Sequence, residues 1–212
     1  SVWDLQRGVV AQRLGKKEGR GQDAAAVAAV AFTAGGEQLL TGTVERDLQL
    51  WDVKSGAVLR SLKGLKQGCS ALAVHPHQNA AIVGGVNLKV VDVESGKKLR
   101  GIVAGQASKV AIIALTDNGR YMAVAGEGSR DLSIFDLASK QGGAVAAFAL
   151  PEAPTGVSIA TRGAGSIFVV ATTPTKRCFL VQHAEGATSS PTLLEAAAAD
   201  EDSEDEDDDE EG

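Results

Sequence analysis

His75 and His77 flank Pro76 and form the tightest pairing of imidazoles in the chain. A His-x-His pair supplies two nitrogen ligands, but a metal site needs a third protein ligand, and none follows at useful spacing. His183 lies far along the sequence. The pair therefore reads as a polar turn. Cys69 and Cys178 are the two thiols, outside any C-x-x-C and with no evident local base to raise a thiolate. Both read as small buried apolar side chains, each within a strand. Gly15-Lys16-Lys17 lacks the remainder of a phosphate loop, and Gly126-Glu127-Gly128-Ser129 reads as a turn between strands. Asp131 and Asp136 fall inside a repeated motif, not an acid–base pair. The expectation is no catalytic residue, no metal, no cofactor and no small-molecule substrate.

The cations offer a different chemistry. Lys16, Lys17 and Arg20 share one Gly-rich stretch, Arg60, Lys63 and Lys66 a second segment, and Lys97, Lys98 and Arg100 a third. Cations at corresponding places of a repeat form a stripe that meets phosphates without reading bases. Lys16, Lys17, Arg20, Lys97, Lys98 and Arg100 are thus candidate contacts for RNA or an acidic partner. The formal net charge is −6, but residues 200–212 hold 11 of the 27 acidic groups, which leaves the remainder at a formal +5. A mildly basic body joined to a polyanionic tail points to charged partners. Ser203 precedes Glu204, Asp205 and Glu206, a setting that suits an acidophilic kinase, so it is a candidate phosphosite.

The elements that must position these residues come in a repeat. Val2-Trp3-Asp4-Leu5 recurs as Leu50-Trp51-Asp52-Val53, Val90-Val91-Asp92-Val93 and Ile134-Phe135-Asp136-Leu137. The residue before Asp falls at 3, 51, 91 and 135, at intervals of 48, 40 and 44. Upstream of three of these lie strand pairs: 27–32 with 38–42, 71–74 with 80–84, and 110–115 with 121–125. Ser55-Gly56 and Ser95-Gly96 mark a hairpin after the motif. Each unit thus offers four short strands, one blade of a propeller. Ala24 to Ala29 is Ala-rich enough for a helix, yet the period places a strand at Val27. A strand is also expected within Val145 to Leu150.

A fifth unit is weaker, with strands at 155–160, 166–171 and 177–182. Phe179 stands 44 residues beyond Phe135, but its Asp is gone and the register is open to a slip of two. Thr192 to Leu194 reads as a closing strand, with a short helix from Leu193 or a linker as alternatives.

A blade has two apolar faces and buries them only by stacking on its neighbours. Trp3, Trp51, Val91 and Phe135 are therefore structural, as are Asp4, Asp52, Asp92 and Asp136, whose carboxylates can accept hydrogen bonds from turn amides. Trp51 carries an indole N–H that needs a partner. The domain reading is a propeller over 1–182 truncated at its N-terminus, a linker or closing strand over 183–199, and a disordered acidic tail over 200–212. About four blades plus a trailing strand pair fit this length, since seven need about 280 residues. The fold class is all-β. No stretch approaches ~18 apolar residues, so no membrane span is read.

A period near 40–45 with this dipeptide resembles WD-repeat proteins over residues 1–182. The Gly-His step of that family stands here as Gly64-Leu65 and Gly105-Gln106, so the histidine that joins its tryptophan network is missing. A narrower likeness lies in Asn87 to Asp92, Gly105 to Val110, Asp117 to Tyr121 and Asp131 to Asp136. These segments look like nucleolar WD-repeat subunits of the small-subunit processome, in its transcription-linked group. That resemblance implies a nucleolar scaffold for ribosome biogenesis that binds protein subunits and pre-ribosomal RNA. Members of the group carry a helical C-terminal domain, where this chain has acid. The alternative is a WD-repeat adaptor of another intracellular complex, in ubiquitin ligation or chromatin, in nucleus or cytoplasm. The Trp-Asp-x-Arg step of cullin-type receptors is absent, since Gln6, Lys54, Glu94 and Ala138 stand at that place.

Overall fold

The computed structural model describes residues 1–14, 26–62, 67–103, 108–139, 142–163, 166–184 and 192–196, and every regular element among them is a strand. A short hairpin opens the chain, β1 (Val2–Asp4) with β2 (Val9–Gln12). Four antiparallel four-stranded sheets follow, each built from strands consecutive in sequence. The first holds β3 (Val27–Phe32), β4 (Gln38–Thr43), β5 (Leu48–Asp52) and β6 (Val58–Leu62). The second holds β7 (Ala71–Val74), β8 (Ala80–Gly84), β9 (Leu88–Asp92) and β10 (Lys98–Ile102). The third holds β11 (Val110–Leu115), β12 (Tyr121–Gly126), β13 (Asp131–Asp136) and β14 (Ala144–Ala149). The fourth holds β15 (Gly156–Arg162), β16 (Ser166–Thr172), β17 (Cys178–Ala184) and β18 (Thr192–Ala196).

The sheets stack in chain order. The leading strand of each lies against the leading strand of the next: β3 on β7, β7 on β11, β11 on β15. Side-chain alternation then decides which neighbour each residue meets. In β8, Ala81 and Val83 join Leu40, Leu48 and Leu50 of the first sheet, while Ala80 and Ile82 face Met122 and Val124 of the third. In β12, Ala123 and Ala125 turn the other way, onto Val169, Ala171 and Phe179 of the fourth. β8 and β12 are accordingly buried along their whole length, which is why Ala80–Gly84 and Tyr121–Gly126 read as continuous apolar runs. β16 and β17 instead alternate between buried and open residues, because among the described residues only one face of the fourth sheet is covered. Four repeated blade-like sheets are thus present.

Three sequence expectations change in detail. Cys69 is not in a strand; it sits in the connection before β7, with its N–H donating to the Thr43 carbonyl at 2.9 Å. The strand expected inside 145–150 is β14, one residue earlier. In the fourth sheet the register does slip by two. Thr43 N–H to Asp47 O (2.9 Å) and Thr173 N–H to Arg177 O (3.0 Å) mark the same turn. Counting from there, Val181 and not Phe179 stands where Trp51 does.

Candidate functional site

The repeated residues converge on two places: the turn that ends the third strand of a sheet, and the seam between sheets. Each turn is built around an Asp. Asp4 Oδ1 accepts from the N–H groups of Gln6 (3.0 Å) and Arg7 (3.1 Å). Asp52 accepts from Ser55 N–H at 2.7 Å, Asp92 from Ser95 N–H at 2.7 Å, and Asp136 from Ala138 N–H at 2.8 Å. The Ser55 hydroxyl, followed by its N–H, holds the Asp52 carboxyl below its usual value. Ser95 does the same for Asp92, with a further contribution from the Arg60 charge. The chain reverses four residues after Asp at Gly8, Gly56 and Gly96, with φ of 65°, 70° and 68°. Such angles favour glycine, which explains its recurrence at that spacing.

The residue before each Asp faces the preceding sheet. Phe135 and Val91 are buried there, in the seams with the second and first sheets. Trp51 lies on the face of β5 opposite Leu48 and Leu50 and is half-buried, its indole N–H donating to Thr41 Oγ1 at 2.9 Å. Trp3 faces the side where no sheet is described and is 57% exposed.

The seams are also tied at their outer edge. Arg60, Arg100 and Gln12 occupy one register position, opposite Leu50, Val90 and Val2. Gln12 Nε2 donates to the Lys54 carbonyl at 3.1 Å, in the turn after Asp52. The Arg100 guanidinium donates to the carbonyls of Leu137 (2.7 Å) and Ser139 (3.2 Å), in the turn after Asp136. Arg60 lies close enough to Asp92 to favour its charged form. So β2 and β10 reach over the seam to the next sheet's Asp turn, and Arg60 of β6 brings its charge to the same place. Ala146 takes this register position in the third sheet, where the tie is lost.

The candidate cationic stripe is therefore divided. Lys97 and Lys98 are exposed at the start of β10, while Arg100 is half-buried and engaged in the seam. Lys16, Lys17 and Arg20 lie outside the described residues, as do Ser203 and the acidic tail. Arg100→Ala should lower stability by about 1–2 kcal/mol, while Lys97→Ala stays within about 0.5 kcal/mol of the parent. Urea midpoints read the difference; equal values would mean that Arg100 holds nothing together.

Sequence reasoning saw Arg100 as a surface cation because a guanidinium aimed at a neighbouring carbonyl has no signature in one unit. The signal that was there is its recurrence with Arg60, each directly after a leucine and eight residues past the motif Asp. Burial pushes the Cys69 thiol up to about 11, against a weaker opposing pull from the Ala71 backbone. Among the described residues, no group of three or more His, Cys, Asp or Glu side chains is placed to hold a metal ion. Nor is any helix among them long and apolar enough to cross a membrane.

Repeated four-stranded antiparallel sheets, stacked through motif residues used for holding turns and seams, form a WD-repeat-like fold suited to protein–protein contacts. No family model matches the sequence. A curated protein of Arabidopsis thaliana, autophagy-related protein 16, is 28% identical over 111 residues, which is 51% of this chain and 21% of that protein. The chain thus spans about a fifth of that relative's length. The homology is distant and partial, to a protein that contains WD40 repeats.

Proposed function

We propose that the chain is a non-catalytic scaffold that gathers protein subunits of an intracellular complex. The observation that carries this is the use of the repeated polar residues. Asp52, Asp92, Asp136 and Arg100 are all engaged by the chain itself, in turns and seams. What remains outward is a set of turns and outer strands that differ from sheet to sheet, a surface for partners on a repeated frame. This favours a WD-repeat adaptor in general.

A narrower version places the scaffold in the nucleolus, in small-subunit ribosome assembly. Its support is the likeness of segments 87–92, 105–110, 117–121 and 131–136 to processome subunits, with Lys97 and Lys98 as remaining described cations for RNA phosphates. The Arabidopsis relative's name points instead to autophagy. Affinity purification of the full-length protein decides among these. A stoichiometric set of protein partners is expected. Processome subunits with co-purifying small-subunit precursor RNA would give the nucleolar version; ligase, chromatin or autophagy factors would give another adaptor. Recovery of the protein alone, from gentle low-salt lysates, would defeat the scaffold reading.

A further inference from the structure

The strand turn between β7 and β8 carries His75 and His77, which no repeated motif explains. His75 is 7% exposed. Its ring is seated across the seam on Gly119 of the β11–β12 turn, where φ is +70° and a Cβ would overlap the imidazole. His75 Nδ1 accepts the backbone N–H of His77 at 3.1 Å, and the ring also engages the Gly119 backbone. His77 stands edge-on, its ring centroid 6.4 Å away, with Nε2 2.8 Å from the Asp117 carbonyl. Two turns of different sheets are therefore joined through one buried imidazole whose Nδ1 must stay unprotonated. Beside it runs a groove of about 550 Å³ between the second and third sheets, floored by Ile82 and Val90 and lined also by Arg100 and Arg120.

We propose that the His75–His77 turn is an acid-sensitive latch between the second and third sheets, opened by one proton on His75. Protonation at Nδ1 turns an acceptor into a donor that faces the His77 N–H, and it leaves a charge in a buried seam. The charged groups around it are His77 on the same turn, Asp117 and Arg120 on the facing turn, Asp136 at the end of β13, and Arg100 on β10. Arg120 and Asp136 pair at 3.3 Å. Burial, then the His77 charge, lowers the His75 pKa, with the Gly119 bond opposing. The folded state therefore takes up this proton less readily than the unfolded chain. Stability from the latch is complete above the ordinary histidine value and is lost as pH falls below it. Acid should widen the existing groove rather than melt all four sheets at once.

The test is amide hydrogen exchange on the full chain at about pH 7.5 and about pH 5.5, corrected for intrinsic rates. Exchange at His75, Gly119 and Tyr121 should rise on acidification, by up to about tenfold because pH 5.5 lies about one unit below the ordinary histidine value, while β16 and β17 keep their protection. His75→Gln, whose amide oxygen can still accept from His77, should abolish the rise; His77→Gln should keep it. A rise spread evenly over all sheets, or one that survives in His75→Gln, overturns the latch. Should that variant fail to fold, NMR titration of His75 in the parent protein decides: a pKa at or above the ordinary histidine value overturns it.

Discussion

Phe135→Ala should lower stability by about 3–5 kcal/mol, the range for removing a large buried aromatic side chain. Phe135 is 2% exposed and stands one residue before the end of β13, on the seam between second and third sheets. Its register partner is Met122, and it shares one cluster with Ile82, Val90, Leu88 and Ile102 of the second sheet. These neighbours are themselves held in ladders, so they cannot collapse into the space. The same truncation at Val91 removes far less volume and should cost about 2 kcal/mol. Trp51→Phe makes a third comparison. It keeps apolar surface but leaves Thr41 Oγ1, a buried group, without its indole donor, for about 1 kcal/mol. Urea unfolding of the three variants gives the order. A Phe135→Ala loss below about 1 kcal/mol would mean that the seam is not packed as described. Because the scaffold depends on stacked sheets, this variant should also lose its co-purifying partners.

The other large effect belongs to Gly42. It lies in β4 opposite Leu48, with nothing unusual in its backbone angles, so conformational freedom is not why glycine stands there. The reason is room. A Cβ at this position would overlap Cys69 Sγ and lie 2.7 Å from Cys69 Cβ. Cys69 cannot withdraw, since its N–H is bonded to Thr43 O and its thiol lies 3.4 Å from the Ala71 carbonyl. Gly42→Ala should therefore cost about 1–3 kcal/mol, the usual penalty for overpacking. The same substitution in a Cys69→Gly background should cost much less, since both clashing atoms are gone. Strictly additive losses in that double-mutant cycle would remove the steric explanation.

How much of this was legible in the sequence depends on whether a residue acts within its own unit. Asp52 and Asp92 cap turns three residues ahead of them, and the Asp-Ser-Gly spacing announces it. The strand pairs 71–74 with 80–84 and 110–115 with 121–125 follow from apolar runs bounded by turn residues. The fourth sheet misled because Phe179 is the large aromatic at the expected interval, while Val181 holds the structural place. An interval counts residues; the ladder counts from the turn, and this turn sits two residues later. Arg100 and His75 were opaque for a different reason. Each acts on the backbone of another sheet, 37 to 44 residues away, and backbone acceptors leave no trace in side-chain patterns. Gly42 and Cys69 were likewise ordinary residues until packing set them against each other.

The outer ties run one way only. Gln12 reaches forward to the first sheet and Arg100 forward to the third; no tie of this kind among the described residues points back. Among the described sheets the stack therefore has a polarity, and its two sides expose different residues. The leading end shows Val30 and Phe32 of β3 together with Trp3; the trailing end shows Val170 and Leu194.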